Sequence, residues 1–259
     1  MATFTGTNGA DTIAYYGVSS GVISSDPVTA PSPFDYVYDE LYGLEGRDYL
    51  DGGYGKDFMA GGDGSDTYVV DDEDDIVKEV SDADGGVDTV ITTVSHKLAA
   101  GVENLTLMEW FGNINGTGNA LNNVIRGNEG NNILRGGKGA DKLTGGDGAD
   151  IFDFNSVSES NSAAKDRIMD FRTGGNKLNG DKIDLTGIDA DTSKDGNQAF
   201  KWGGETLHGR GYIWVDDASN GDTIVRGNVD KDATAEFVLV VKDGFGVDAE
   251  DWHSYDFYK

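Results

Sequence analysis

Residues 43–69 read GLEGRDYLD, GGYGKDFMA and GGDGSDTYV, which are three nine-residue units in register. Each of these units has Gly at positions 1 and 4, Asp at position 6 and a large side chain at position 8. The pattern returns in residues 118–153 as GNALNNVIR, GNEGNNILR, GGKGADKLT and GGDGADIFD. Two tandem blocks of such units predict a coil in which each unit buries its apolar side against its neighbours.

The residue types at fixed positions indicate how one unit folds. Gly tolerates positive φ and close backbone approach, so positions 1 and 4 predict a tight turn with inward-pointing carbonyl oxygens. The side chain at position 8 points inward and supplies a narrow core. Two units complete one coil, so each unit stacks on the unit two places along. The sequence therefore predicts an all-β fold, a right-handed parallel β-roll with a C-terminal β-rich cap.

Stacking of this kind pairs the side chains at position 6. Carboxylates and turn carbonyls are the hard oxygen ligands that Ca²⁺ prefers, so the paired turns predict calcium sites. The neutral amides at position 6 of the second block predict weaker sites there. The predicted pairs are Asp48 with Asp66, Asn123 with Asp141, and Asn132 with Asp150.

The same frame continues beyond each block. Residues 70–78 place Asp75 at position 6, where it would pair with Asp57. The residues after 153 bring Glu159 to position 6, opposite Asp141.

An isolated unit precedes the blocks. Residues 6–14, GTNGADTIA, place Asp11 at position 6 and Ile13 at position 8. We expect this unit to form the first coil, with residues 18–33 as an insertion before the roll resumes. All three prolines of the chain lie in that insertion.

The stretches outside the blocks have a different pattern. Residues 87–95 and 102–108 alternate apolar and polar side chains, which predicts strands in larger, metal-poor coils. From Ile151 the repeat stops and aromatic residues and longer runs such as 237–241 follow, which predicts a packed antiparallel cap over the end of the roll. The predicted domains are an N-terminal segment (1–42), a roll (43–153, with blocks 43–78 and 118–153 and a spacer 79–117) and a cap (154–259).

Composition excludes several classes of protein. The net charge of −27 leaves no basic patch that could neutralise nucleic-acid phosphates. The absence of Cys excludes disulfides and thiol chemistry. No apolar run approaches the roughly 18 residues that a transmembrane helix needs, and the first residues lack the basic and apolar regions of a cleaved signal peptide. Without calcium, we expect the facing carboxylates to keep the chain unfolded.

The repeats resemble those of RTX exoproteins, and residues 118–253 resemble two more specific groups. These are the C-terminal region of serralysin-type secreted metalloproteases and the repeat modules of bacterial mannuronan epimerases. The matching segments are GGDGADIFDF, SVSES, DRIMDF, GDKIDLTGIDADT, NQAF, TIVRGNVDKDATAEFVLVV and VDAEDW. The resemblance implies a parallel β-roll with several Ca²⁺ ions between its turns. It also implies bacterial type I export through an uncleaved C-terminal signal, with folding in the extracellular space.

The resemblance further implies a ligand set for each turn. Carbonyls at positions 2 and 4 of one unit join carbonyls at positions 1 and 3 of the unit two places along. In the first block the implied groups are Leu44, Gly46, Gly61 and Asp63 around Asp48 and Asp66, and Gly53, Gly55, Val70 and Asp72 around Asp57 and Asp75. In the second block they are Asn119, Leu121, Gly136 and Lys138 around Asn123 and Asp141, and Asn128, Gly130, Gly145 and Asp147 around Asn132 and Asp150.

Two further features bear on activity. Some RTX proteins cleave themselves at an Asp-Pro bond when calcium binds, and Asp26-Pro27 is either such a bond or an ordinary loop dipeptide. The zinc motif H-E-x-x-H of the metalloproteases is absent, and the three histidines, His96, His208 and His253, are isolated in the sequence. We therefore expect no enzyme activity.

Three functions fit these features. The first is a secreted calcium-binding repeat protein without its own catalytic site, and repeats that run from near Met1 towards the end of the chain favour it. The second is the non-catalytic C-terminal module of a secreted enzyme of the metalloprotease or epimerase type. The third is a module that binds an extracellular acidic polysaccharide through Ca²⁺ or through the region of Arg126 and Arg135. The expected partners are calcium and the type I secretion apparatus.

Overall fold

The structure is a computed structural model. It describes residues 3–7, 9, 11–14, 17–18, 23–24, 38–79, 86–173, 180–205, 208–232, 234–242 and 252–259. Asp26-Pro27 lies outside the described residues. The regular structure of the described part is β, apart from a 3₁₀ turn at Ser254–Asp256, which confirms the all-β prediction. This part contains no helix with the length and hydrophobicity that a membrane span requires. The chain forms two compact units, Met1–Phe111 and Gly112–Lys259.

The first unit consists of short strands, and all but one of those described form two sheets. The strands are β1 (Thr3–Thr5), β2 (Thr12–Ala14), β3 (Gly17–Val18), β4 (Ile23–Ser24), β5 (Glu40–Gly46), β6 (Tyr49–Asp51), β7 (Phe58–Gly64), β8 (Thr67–Val70), β9 (Ile76–Lys78), β10 (Thr89–Thr92), β11 (His96–Lys97) and β12 (Asn104–Leu107). One sheet has the order β4-β1-β5-β7-β9, and the other has the order β12-β10-β8-β6-β2-β3. Neighbours in both sheets are parallel except β1 with β4 and β2 with β3.

The parallel register follows the predicted coil. Leu50 aligns with Tyr68, and both are fully buried. Ile13 aligns with Leu50 in turn, which confirms that residues 6–14 form the first coil. The large side chains at position 8 therefore form the core of this unit, as the repeat predicts.

The spacer continues the coil at a different length. β10 pairs in parallel with both β8 and β12, so the predicted spacer strands are confirmed. The step from Asp66 to Asp88 spans 22 residues, which fits the prediction of a larger coil. The step from Thr89 to Asn104 spans only 15 residues, so the prediction is wrong for this second coil. A tight turn in which the N–H of Val102 donates to the carbonyl of Ala99 at 3.5 Å shortens it.

The second unit also has two sheets. Its strands are β13 (Gly116–Thr117), β14 (Val124–Arg126), β15 (Ile133–Arg135), β16 (Lys142–Thr144), β17 (Ile151–Asp153), β18 (Arg167–Ile168), β19 (Lys182–Asp184), β20 (Lys201–Trp202), β21 (Tyr212–Asp217), β22 (Thr223–Asn228), β23 (Phe237–Val241) and β24 (Phe257–Tyr258). One sheet has the order β13-β15-β17-β19-β24, and the other has the order β14-β16-β18-β23-β22-β21-β20.

The parallel coil extends past the last recognisable nonapeptide. Leu143 aligns with Ile168, and Phe152 aligns with Ile183, which aligns with Phe257. All of these side chains are buried. The segments DRIMDF and GDKIDL therefore add coils to the roll, although neither is preceded by Gly at positions 1 and 4 of the repeat frame.

The antiparallel part of the second unit comprises β21, β22 and β23, each of which pairs with the next one. β23 is buried along its whole length, as its apolar sequence predicts, and it also pairs in parallel with β18. Phe237 of β23 packs edge-on against Phe154, with ring centres 5.2 Å apart. The antiparallel strands predicted for the C-terminal region are thus confirmed, while the boundaries of the predicted three-part division stay a prediction.

Candidate metal-binding turns

A column of position-6 side chains joins each coil of the first unit to the next. At each step, Oδ1 of the carboxylate accepts the backbone N–H of the position-6 residue one coil earlier. The donor–acceptor pairs are Asp11 to Asp48 (2.6 Å), Asp48 to Asp66 (2.8 Å) and Asp66 to Asp88 (2.7 Å) on one side, and Asp39 to Asp57 (2.7 Å) and Asp57 to Asp75 (2.8 Å) on the other. The predicted stacking of Asp48 with Asp66 and of Asp57 with Asp75 is confirmed.

The second unit repeats this ladder. The donor–acceptor pairs are Asn123 to Asp141 (2.7 Å), Asp141 to Asp166 (2.8 Å), Asn132 to Asp150 (2.8 Å) and Asp150 to Asp181 (3.0 Å). The predicted stacking of Asn123 with Asp141 and of Asn132 with Asp150 is confirmed. Asp166 and Asp181 extend the ladder beyond the predicted set.

The prediction that Glu159 stacks on Asp141 at position 6 is wrong. Asp166 takes that place, 25 residues after Asp141. The chain leaves the coil in between, because the hydroxyl of Ser160 donates to the carbonyl of Val238 at 2.6 Å. The same hydroxyl accepts the N–H of Asp166 at 2.9 Å, and this contact returns the chain to the coil at Asp166 instead of Glu159.

The second carboxylate oxygen of several ladder residues faces the turn. Burial of an anionic oxygen without a donor is unfavourable, so these oxygens are suited to a cation. In the described part of the chain, Oδ2 is buried and has no hydrogen-bond donor in Asp48, Asp57, Asp141, Asp150 and Asp166.

Glycine at position 1 is required by the same carboxylates. A Cβ atom on Gly43, Gly52 or Gly61 would overlap Oδ2 of the Asp five residues later. The same overlap would occur at Gly136 and Gly145. Each of these carboxylates therefore lies directly against the backbone of its turn, and a residue with a side chain does not fit at position 1.

The turn carbonyls approach the next coil at defined positions. A Cβ atom on Gly62 would overlap the carbonyl of Leu44, and one on Gly64 would overlap that of Gly46. The equivalent contacts in the second block involve Gly137 with Asn119, Gly139 with Leu121, Gly146 with Asn128 and Gly148 with Gly130. Carbonyls at positions 2 and 4 thus point towards the unit two places along. Coordination by these carbonyls, and by those of Asp63, Lys138 and Asp147 at position 3, stays a prediction.

The turn over Asp57 has the predicted backbone conformation, but other groups of the protein contact some of its predicted calcium ligands. Gly53 and Gly55 have φ of 79° and 126°, as a tight turn requires. The carbonyl of Val70, however, accepts the N–H of Thr93 at 3.0 Å. The N–H of Asp72 donates to Oδ2 of Asp75 at 3.2 Å. Backbone contacts therefore occupy two of the groups that the sequence assigned to calcium in this degenerate unit.

The Asn residues of the second block cap their own turns. The Oδ1 atom of Asn123 accepts the N–H of Asn119 at 2.8 Å. That of Asn132 accepts the N–H of Asn128 at 2.9 Å, and its Nδ2 donates to the carbonyl of Ile114 at 2.7 Å. These amides already have partners inside the protein, which is a physical reason to expect weaker sites there.

Burial raises the pKa of the ladder carboxyls. The pKa rises to about 6 for Asp48 and to about 7 for Asp57. It rises to about 7 for Asp141 and Asp150 and to about 8 for Asp166. Loss of solvation is the largest cause in each case, and neighbouring carboxylates add to it. A bound divalent cation would favour the ionised form instead.

Two groups of acidic side chains extend beyond the predicted metal ligands, of which they contain only Asp66. Oxygen atoms of Asp66, Glu79 and Asp88 lie within 4.8 Å of one another, as do those of Asp230, Asp232 and Glu236. Asp88 lies on the spacer coil, which the sequence predicted to be metal-poor. The signal that could have located Asp88, Asp166 and Asp181 is an Asp two residues before a buried Val or Ile.

The fold and the turns define a class of protein, a parallel β-roll with buried carboxylates at its glycine-rich turns. Comparison with known families shows that residues 39–68 and 117–152 match the RTX calcium-binding nonapeptide repeat, in four copies. These two segments are therefore RTX calcium-binding repeats. No curated protein matches the chain significantly.

The residues present fit calcium. Their ligand atoms are all oxygens, and the buried Oδ2 atoms of the ladder carboxylates named above have no donor among the described residues. At each turn, an ion would be held by the buried carboxylate together with nearby turn carbonyls. The carboxylates concerned are those of Asp48, Asp57, Asp141, Asp150 and Asp166. A bound Ca²⁺ would supply the positive charge that allows these carboxylates to be ionised while buried.

Proposed function

We propose that this protein is a secreted calcium-binding repeat protein that lacks a catalytic site of its own and folds when it binds Ca²⁺ outside the cell. The main support is the column of buried carboxylates whose Oδ2 atoms have no donor in the described residues, as in Asp48 and Asp141. Their burial is costly until a cation offsets it.

Metal binding and folding are coupled in this proposal. The acidic groups of one site lie about a full coil apart in the chain, as Asp48 and Asp66 do. The unfolded chain does not bring them together, so calcium binds mainly to the native state and its free concentration sets stability. A chain of this charge stays unfolded where calcium is scarce, which suits export before folding. RTX repeats are typical of proteins that type I systems export.

A calcium titration of chelator-treated protein tests the proposal. Far-UV circular dichroism would follow strand formation, and hydrodynamic radius would follow compaction, with Mg²⁺ as the control ion because it prefers a stricter octahedral site. We expect a cooperative gain of β structure between micromolar and millimolar Ca²⁺ and little change with Mg²⁺. A chain that is already compact and β-rich in chelator would contradict the proposal.

A second candidate is the non-catalytic C-terminal module of a secreted metalloprotease or epimerase. The sequence resemblance of residues 118–253 to those enzymes supports it. The intact mass of the product secreted by the native cells would decide between the two candidates. A secreted species longer than 259 residues would support the module, and a species of this length would contradict it.

A calcium-dependent module for acidic polysaccharides is the third candidate. Arg126 is exposed, but Arg135 contacts the carboxylate of Asp153. One of the two cations assigned to this role therefore already has an anionic partner, so the bridge would depend on calcium and on Arg126. Absence of uronate-polymer binding at millimolar Ca²⁺ would remove this candidate.

A further inference from the structure

A cavity of about 350 Å³ in the second unit has cationic walls. Its lining includes the side chains of Lys194, Lys201 and Arg210, and one carboxylate, that of Asp191. The chain as a whole has 20 Lys and Arg residues against 47 Asp and Glu residues. The cavity is thus a local site of positive charge in a strongly anionic protein, and such a site attracts anions.

Backbone hydrogen bonds hold the walls of the cavity. The N–H of Ala190 donates to the carbonyl of Gln198 at 2.9 Å and closes the loop between them. The N–H of Lys201 in β20 donates to the carbonyl of Gly211 at 2.8 Å, next to the start of β21. The cationic residues therefore lie on a closed loop and on paired strands.

Asp191 orients two of the three cations. It is buried, and it contacts Nζ of Lys194 at 2.7 Å and Nε of Arg210 at 3.4 Å. Arg210 also donates to Oγ of Ser193 at 2.7 Å. These contacts fix the guanidinium at the edge of the cavity and leave part of its hydrogen-bonding capacity for another acceptor.

Lys201 differs from the other two cations. Among the residues that the structure describes, no carboxylate lies within ion-pair distance of it. Its Nζ atom lies 5.7 Å from the ring centre of Tyr212, a contact that holds the ammonium without neutralising it. Lys201 is exposed, and it therefore offers a ligand an ammonium group that no described carboxylate neutralises.

Gln198 adds a hydrogen-bond acceptor. Its Nε2 donates to the carbonyl of Asp195 at 3.0 Å, which fixes the amide. Its Oε1 is buried and, within the described chain, has no donor. A ligand group that donates here satisfies this oxygen. The surrounding cations disfavour an amine, so a hydroxyl group is the donor that fits.

We propose that this cavity binds a small polyhydroxylated carboxylic acid, of which a uronic acid is the simplest sugar example. Its carboxylate would contact Lys201 and Arg210, and one of its hydroxyls would donate to Oε1 of Gln198. The volume lies at the lower end of the roughly 300–1,000 Å³ typical of ligand sites, which suits a single sugar ring. The site is separate from the calcium turns and requires only that the second unit be folded.

Titration of the calcium-saturated protein with glucuronate, followed by amide chemical shifts, tests this site. We expect saturable shifts at residues around the cavity. Glucose lacks the carboxylate and propionate lacks the hydroxyls, so we expect neither compound to produce them. Lys201→Gln should weaken glucuronate binding by about tenfold or more, the usual consequence of losing a hydrogen bond to a charged group. Gln198→Leu should weaken it by about fivefold.

Lys242→Gln is the matched control. Lys242 is exposed, and this substitution removes one positive charge from the chain, as Lys201→Gln does. It should leave the affinity within about twofold of the original. No saturable shift with glucuronate, equal binding of glucose, or equal losses in the Lys201 and Lys242 variants would each overturn the proposal.

An oligogalacturonate titration identifies the source of the ligand. If the protein binds the oligomer more than about tenfold more tightly than the monomeric sugar acid, the natural ligand is a polymer. If the two affinities are equal, the natural ligand is a free sugar acid. A dispersed amide spectrum in chelator would contradict the proposed calcium-dependent folding, but the sugar titration could still be carried out. The two proposals can therefore fail independently.

Discussion

The backbone N–H of Asp48 donates to Oδ1 of Asp66 at 2.8 Å, across a separation of 18 residues. Asp48 in turn accepts the N–H of Asp11 through its own Oδ1, at 2.6 Å. Its Oδ2 faces the glycine turn, so one carboxylate both holds two coils together and presents an oxygen to a cation. Loss of an interior carboxylate should therefore affect stacking and calcium binding together.

Asp66→Ala should raise the calcium midpoint of folding more than Asp11→Ala does. Asp66 is in the interior of the column, between Asp48 and Asp88, whereas Asp11 belongs to the first coil. Loss of a hydrogen bond to a charged group costs about 1.5–3 kcal/mol, so we expect a shift of at least about tenfold for Asp66→Ala. Calcium titrations followed by circular dichroism would measure both midpoints. Equal midpoints would contradict the assigned register.

Gly52→Ala should destabilise the calcium-loaded protein by about 1–3 kcal/mol, the usual cost of overpacking. The added methyl group would overlap the carboxylate of Asp57. Gly9→Ala is the control, because the nearest atom to its added Cβ, Oγ1 of Thr7, would be 3.9 Å away. Denaturant unfolding at saturating Ca²⁺ would compare the two variants. A Gly52→Ala protein as stable as the Gly9→Ala protein would show that position 1 has free space.

Asp166→Asn should raise the calcium midpoint of the second unit more than Glu159→Gln does. Asp166 accepts the N–H of Asp141 at 2.8 Å and has a buried Oδ2, whereas Oε2 of Glu159 accepts the N–H of Asn155 at 2.8 Å and makes no such contact between coils. Amide shifts of residues 136–168 during calcium titration would separate the two effects. A larger shift for Glu159→Gln would support the register predicted from the sequence alone.

The strictly periodic part of the fold could be predicted from the sequence. Gly, Asp and a large apolar side chain recur at fixed positions, and each has one physical role. The stacking of Asp48 with Asp66, and even the isolated unit around Asp11, follows from that spacing. The alternation of side chains likewise predicts the spacer strands, because β structure has a period of two.

The coils after residue 153 could not be located from the period. The hydroxyl of Ser160 contacts the carbonyl of Val238, 78 residues away, and this long-range contact makes the coil longer than 18 residues. Local sequence contains no signal for a contact of that range. The cationic cavity escaped prediction for the same reason, because the pairing of β20 with β21 brings Lys201 near Arg210, and contacts with Asp191 hold Lys194 and Arg210.

The pH dependence of stability should have opposite signs with and without calcium. In the metal-free folded chain, burial raises the pKa of Asp57 from its ordinary value of 3.8 to about 7 and that of Asp166 to about 8. A carboxyl with a raised pKa in the folded state stabilises that state while it is protonated. This contribution is complete below pH 3.8, and it is lost as the pH rises through about 6–8.

With calcium the ionised carboxylate is the binding form, so protons compete with the metal and stability should rise over the same pH range. Far-UV circular dichroism of the chelator-treated chain would follow its β content between about pH 5 and about pH 8, and thermal unfolding would follow the chain in millimolar Ca²⁺ over the same range, so that both slopes are measured. We expect the chelator-treated chain to gain β structure only towards the lower pH. Asp57→Asn should flatten both slopes, because Asn does not titrate. Parallel slopes in chelator and in calcium would show that the buried carboxyls do not exchange protons for calcium, and this result would argue against the turns as metal sites.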